Sequence, residues 1–338
     1  MTIHETDVAI IGAGPVGLFA VFECGMVRVK CHVIDALGDI GGQCTALYPE
    51  KPIYDIPGFP AIDAADLIAN LETQAAPFAP VYHLGQQVTG LEQTDRGFRL
   101  TTSAGTVIAA TAVILAAGVG AFGPNRPPMA GIEAYEGGAV QYHVRRRADF
   151  AGRRVVIAGG GDSAVDWAIS LAEVAEKIYV VHRRDKFRAA PETVERMRAL
   201  AEPGGKVELV IPYQLHGLQG DGKTLTGVTV RTLDGDERLL EADSLLPFFG
   251  LSTELGPIAG WGFEMERKLI ATDPATSATS IPGIFAIGDI ATYPGKLKLI
   301  LCGFSEAAMA AHAIYPLVHP DEVLHFEYST TKGVPGAA

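Results

Sequence analysis

Two kinds of side chain stand at matched distances from two glycine-rich turns, and they would select opposite ligands. The first turn, Gly12-Ala13-Gly14-Pro15-Val16-Gly17, follows the apolar run Val8 to Ile11, and Asp35 comes 18 positions after its last glycine. The second, Gly159-Gly160-Gly161-Asp162-Ser163-Ala164, follows Val155 to Ala158, and His182-Arg183-Arg184 begins 18 positions after Ala164, with Arg188 one turn further on. A carboxylate at this place accepts hydrogen bonds from the hydroxyls of an adenosine ribose and repels a 2′-phosphate. Guanidinium groups do the reverse, pairing with phosphate oxygens through charge-assisted bonds.

These side chains act together only if strands and helices bring them to one place. Each copy predicts a strand, a turn, a helix and a second strand, Cys31 to Ile34 in the first and Ile178 to Val181 in the second. Gly12 permits the tight turn, Gly14 lets backbone approach a pyrophosphate, and Gly17 lets the helix pack close to the strand. Gly159 and Gly161 repeat the first two roles. Ala164 replaces the third glycine, where smallness suffices. The helix starts, Asp162-Ser163 in the second copy, offer free N–H groups and partial positive charge to phosphates. The first site therefore suits the unphosphorylated adenosine of FAD and the second NADP(H). Two such sites in one chain describe a flavoprotein that moves hydride between nicotinamide and flavin.

The two turns lie 147 residues apart, so a whole domain is repeated within 338 residues. The fold class expected is α/β, with two Rossmann-like dinucleotide-binding domains. At 48% apolar and 20% charged residues the chain has a globular composition, and its net charge of −12 argues against a general nucleic-acid binder. Gly, Pro or a charge interrupts each apolar run before about 18 residues, so no membrane span is expected. Four scattered cysteines (Cys24, Cys31, Cys44, Cys302) form no CxxC pair and suggest neither a disulfide framework nor a metal site. With a polar start and no secretory signal, a cytoplasmic location is expected.

Further along, T-A-V-I-L-A-A-G (111–118) and I-P-G-I-F-A-I-G-D-I-A (281–291) are apolar strands ending in Gly118 and Gly288-Asp289. With the glycine turns, their order resembles the two-domain flavin disulfide reductases, most closely the thioredoxin-reductase-like branch, over most of the chain. The resemblance implies a discontinuous FAD domain, 1–120 with 251–338, enclosing an inserted NADPH domain at 121–250, with motion about the two linkers. It places Gly288 and Asp289 at the ribityl and pyrophosphate region of FAD, and Gly42-Gln43 on a loop close to the flavin. It also implies FAD contacts at Pro15, Tyr48, Val88 and Phe122.

That branch passes electrons through a Cys-x-x-Cys pair before the second glycine turn, but residues 139–150 here contain no cysteine. Cys44 has no second thiol near it in sequence, since 45–50 read T-A-L-Y-P-E, so dithiol chemistry is not available through the usual route. The resemblance thus narrows to the ferredoxin (flavodoxin)–NADP reductases of thioredoxin-reductase type. By that likeness Tyr54, in K-P-I-Y-D-I-P-G-F-P, stacks on one flavin face. In the tail F-E-Y-S-T-T-K (326–332), Tyr328 would reach the other face, and Ser329 or Thr330 would hydrogen-bond the ring. The likeness implies a homodimer whose tails cross and a ferredoxin or flavodoxin partner. Such a partner, itself usually acidic, needs a local basic patch, and Arg145 to Arg147 and Lys296 to Lys298 are candidates. An NADPH-dependent quinone or small-acceptor reductase, or an NADPH oxidase, is the alternative within the enzymes, and a non-catalytic flavin-binding sensor a more distant one.

Overall fold

The computed structural model describes residues 3–325 and 328–334. The chain divides into two compact units, residues 1–122 with 253–338, and residues 123–252.

In the first unit the parallel sheet is ordered Val81–His83, Cys31–Ile34, Ile3–Ile11, Val107–Leu115, with Ile284–Ala286 beside the last. Strand Val107–Leu115 also ends an antiparallel meander with Gly97–Thr102 and Val88–Thr94. Alternation along Ile3–Ile11 explains why its apolar run is unbroken. Val8 and Ile10 face a core built with the helices Pro15–Met26 and Ile300–Val318, through Ala20, Val21, Ala307 and Ile314. Ala9 and Ile11 face a second core with Leu100, Ile108 and Ile270. Both faces of the sheet are covered, the condition under which parallel strands read as continuous apolar stretches. Each fully buried aliphatic side chain there contributes roughly 1.5–3 kcal/mol.

The Ile300–Val318 helix runs through the residues that interrupt its apolar pattern. At 19 residues it is long and apolar enough to cross a membrane by length and composition. Gly303 and Pro316 do not break it, because the fold buries one side of the helix: Gly303, Glu306, Ala307, Ala310, Ala311, Ile314 and Tyr315 are all interior. It is a core helix with a buried carboxylate.

The second unit repeats the scheme. Its parallel sheet runs Val207–Val210, Lys177–Val181, Arg154–Ala158, Ser244–Pro247, and a separate antiparallel sheet joins Gln214–Gly220, Leu225–Arg231 and Glu237–Glu241. Helices Asp162–Ala172 and Pro191–Ala199 complete it. Arg154 closes the lower end of the sheet, donating to Asp243 from Nε at 3.2 Å and from Nη2 at 2.8 Å, and to Glu241 from Nη1 at 2.7 Å. That guanidinium holds the Asp243 carboxyl below its usual range.

Candidate functional site

The first unit holds a cavity of about 290 Å³. Its wall is made where the parallel strands end: Ile11 and Gly12 after the first, Ile34 and Asp35 after the second, Gln86 to Val88 after Val81–His83, Ala116 to Gly118 after Val107–Leu115, and Gly288-Asp289 after Ile284–Ala286. This is the crevice at the carboxyl ends of the strands where open α/β sheets bind ligands.

The glycines of the first turn divide their work as the sequence suggested. Gly12 has φ +115°, and a Cβ there would lie 2.3 Å from the Ala116 carbonyl oxygen. At Gly17 it would lie 2.0 Å from the Gly12 oxygen, so that position serves packing and does not line the cavity. At Gly14 it would meet no protein atom within 4 Å, so this backbone faces open space that a ligand can enter. The Pro15–Met26 helix starts there with no side-chain cap and no acid in its first turn, leaving its N–H groups free for an anion.

Asp35 is set by its backbone. Oδ2 accepts the Ala13 N–H at 2.7 Å and Oδ1 that of Leu37 at 2.8 Å, each leaving a lone pair for a ribose hydroxyl. Burial pushes the carboxyl up from its ordinary value, and those backbone N–H groups oppose the rise. The Gly41-Gly42 loop folds over the glycine turn, with Gly41 N–H donating to Ala13 O at 2.9 Å. Tyr48, whose hydroxyl burial pushes well up, lies 3.9 Å from the Cys44 sulfur, and burial raises the Cys44 thiol to about 11. Cys44 is therefore a protonated wall group at neutral pH.

Of the positions singled out for FAD, Gly12, Gly14, Pro15, Asp35, Gly42, Gln43, Tyr48, Val88, Gly288 and Asp289 line this one cavity. Tyr54 and Tyr328 do not; they are 67% and 70% exposed, and Thr330 is exposed beside Tyr328. The side chain of Phe122, and Phe326 and Glu327 of the tail, lie outside the described residues. Sequence reasoning missed Gln86, Gln87, Ala117, Pro257 and Ile300, which reach the cavity from strand ends, from the short helix Gly256–Gly260 and from the start of the Ile300–Val318 helix.

In the second unit Gly161 is the open position, since a Cβ there would meet no protein atom within 4 Å, and the Asp162–Ala172 helix begins at it without a side-chain cap. Gly159 and Ala164 pack together: a Cβ on Gly159 would lie 3.0 Å from that of Ala164. Ser163 is exposed at the helix start. Gly160 carries no expectation from its sequence position, yet a Cβ there would lie 2.2 Å from the His182 ring, so the imidazole rests on bare backbone. The His182 ring also packs, tilted, against Phe187 with centroids 5.0 Å apart. Burial, then the charges of Arg183, Arg188 and Arg184, lowers its pKa, so the ring is neutral at pH 7. Two bonds fasten the arginine loop to the turn: Arg188 N–H to Gly160 O at 2.7 Å, and Ala190 N–H to Asp162 Oδ1 at 3.0 Å. Arg183, Arg184 and Arg188 are exposed, and among the described residues none of them forms an ion pair.

The two candidate basic patches are weaker than the sequence suggests. Lys296 is no docking residue: its side chain is 4% exposed and paired with Glu306. Arg146 pairs with Asp149 at 2.8 Å and Arg147 with Glu173, so much of that run's charge is locally balanced.

The pyridine nucleotide-disulphide oxidoreductase family model matches residues 6–313, across both glycine turns and the late Gly288-Asp289 motif. The chain belongs to this family. Within it, the chain is 66% identical over 336 residues to a ferredoxin–NADP reductase of Paramagnetospirillum magneticum, covering 99% of each chain. It is 63% identical over 333 residues to one of Gluconobacter oxydans, covering 98% of each. Among solved structures it resembles the thioredoxin reductase of Lactococcus lactis, with a TM-score of 0.78 and 25% identity over 93% of this chain and 99% of that one. The thioredoxin reductase of T. acidophilum matches with a TM-score of 0.77 and 25% identity, over 92% of this chain and 98% of that one. For a family named after disulphide chemistry the thiols here are unusual: Cys24, Cys31 and Cys44 are buried, Cys302 is partly so, and all four are free.

Proposed function

We propose that the protein is a FAD-dependent ferredoxin–NADP reductase, taking hydride from NADPH and delivering electrons singly to ferredoxin or flavodoxin. The observation that carries this reading is the contrast between two like turns, one ended by a carboxylate and one by exposed arginines, in a chain without a Cys-x-x-Cys pair. The residues present fit both cofactors. In the first unit the open backbone at Gly14 and the uncapped Pro15–Met26 helix suit a pyrophosphate, and Asp35 suits an adenosine ribose. In the second, Gly161 and the start of the Asp162–Ala172 helix suit the other pyrophosphate, and Arg183, Arg184 and Arg188 a 2′-phosphate.

FAD, when bound, supplies the exchange between two-electron and one-electron chemistry that no side chain can perform. The protein's part is to orient the dinucleotides, exclude water and hold fixed charges near them. Val88, Tyr48 and Cys44 give the first cavity an apolar, non-nucleophilic wall. A homodimer and a cytoplasmic setting belong to the same proposal: the exposed rings of Tyr54 and Tyr328 suit cover of a flavin, their own subunit's or a partner's, and the four free thiols suit a reducing compartment.

The decisive experiment supplies NADPH as donor and compares ferredoxin, flavodoxin, a quinone and thioredoxin as acceptors. Fast turnover with ferredoxin or flavodoxin and none with thioredoxin is expected. Fast turnover with the quinone alone, or purified protein that is colourless and takes up no FAD, overturns the proposal.

A further inference from the structure

No Asp or Glu among the described residues is as deeply buried as Glu306, which is 1% exposed. It sits one turn beyond Gly303 on the Ile300–Val318 helix. A Cβ on Gly303 would lie 2.4 Å from the Val16 side chain and 3.4 Å from the Gly288 Cα, so the helix touches both the first glycine turn and the Gly288 turn. Glu306 Oε2 accepts the Gly288 N–H at 2.7 Å. Oε1 accepts the Tyr293 hydroxyl at 2.7 Å and forms an ion pair with Lys296, whose side chain is also interior. None of these three side chains lines the cavity, whereas Gly288 and Asp289 do.

We propose that Glu306, charge-balanced by Lys296, is a positioning residue for the flavin dinucleotide. By taking the Gly288 N–H from behind, it fixes the turn in its positive-φ form, +73° at Gly288, and so presents Asp289 to the cavity. A buried ion pair adds little to folding by itself, because desolvation offsets the attraction between the charges. What this one supplies is an acceptor aimed at a single N–H, and an N–H left unpaired in the interior is costly. The inference rests on the reading of the first cavity as the FAD site.

The test measures the dissociation constant of FAD from purified holoenzyme, by dilution and recovery of flavin fluorescence, with circular dichroism as the check on folding. Wild-type protein that holds no FAD defeats the reading of the cavity and is recognised before any variant is made. Glu306→Leu with Lys296→Met removes both charges and the acceptor together, and it should weaken FAD about tenfold or more while keeping the fold. Glu306→Gln with Lys296→Met keeps an acceptor for Gly288 and should stay within about threefold of wild type. Equal FAD affinity in the Leu/Met variant and the wild type overturns the inference, as does a loss in the Gln/Met variant matching that of the Leu/Met variant.

Discussion

At the first turn the strand Cys31–Ile34 delivers a carboxylate gripped by two backbone amides, while at the second the strand Lys177–Val181 delivers an imidazole seated on Gly160, with three exposed guanidiniums beyond it. The strand order around the two turns is the same, and so is the division of glycines into one that faces open space and others that meet protein. What differs is how charge is held. The acid is half-sunk and fixed in direction, which suits hydrogen bonds to hydroxyls; the arginines stand in solvent on long stems, which suits a dianion that can be met from several sides. One strand–turn–helix scheme thus presents two kinds of charge through a few residues at the end of one strand.

The largest effect that would break this contrast is expected from Arg183→Ala with Arg184→Ala. The KM for NADPH should rise about 100-fold with that for NADH little changed, since two charge-assisted pairs are lost only with the phosphorylated cofactor. Steady-state kinetics with both donors decides it, and an equal rise for both removes the phosphate assignment. Next come the glycines. Gly14→Ala should leave folding within about 0.5 kcal/mol of wild type yet weaken FAD about tenfold, whereas Gly12→Ala should cost roughly 1–3 kcal/mol of stability through its clash with Ala116. Thermal unfolding alongside FAD titration separates the two.

Asp35→Asn keeps the shape and loses the charge together with one of the two backbone hydrogen bonds. It should weaken FAD by about tenfold or less and leave the NADPH KM unchanged, which competitive FAD binding and kinetics together would show. The smallest effect concerns His182. Its pKa lies below the ordinary value, so the stability it contributes is present above about pH 6.5 and is lost as pH falls through the folded-state value. In the Arg183→Ala, Arg184→Ala variant two repelling charges are gone and the ring's titration, followed by NMR, should move upward. A midpoint that stays in place would mean that these two charges do not set it.

The strand, turn and helix order of both domains was legible because glycine spacing and apolar runs are local signals. Matched offsets made the acid and the arginines comparable without any structure. Lys296 shows where such reading stops: within its loop it looks like surface charge, and only the helix that begins four residues later carries the carboxylate that buries it. That carboxylate did leave a trace, as one acid at helical spacing with Gly303, Ala307 and Ala310 on an otherwise apolar face. Gly160 left none, because its need for a missing side chain arises from a ring 22 positions away. The same holds for Gln86, Gln87 and Pro257, which share the cavity through sheet order and not through sequence pattern.

Cys44 in the cavity wall, with its thiol pushed to about 11, has a chemical consequence for the protein in an oxidising cell. Peroxides and alkylating agents attack thiolates, and carriers that cycle through a low-pKa thiol are disabled when that sulfur is overoxidised. A reductase whose wall cysteine stays protonated, in a chain with no Cys-x-x-Cys pair, offers such reagents no thiolate target there. Supply of reducing equivalents through this protein should therefore outlast that through dithiol relatives under the same oxidant.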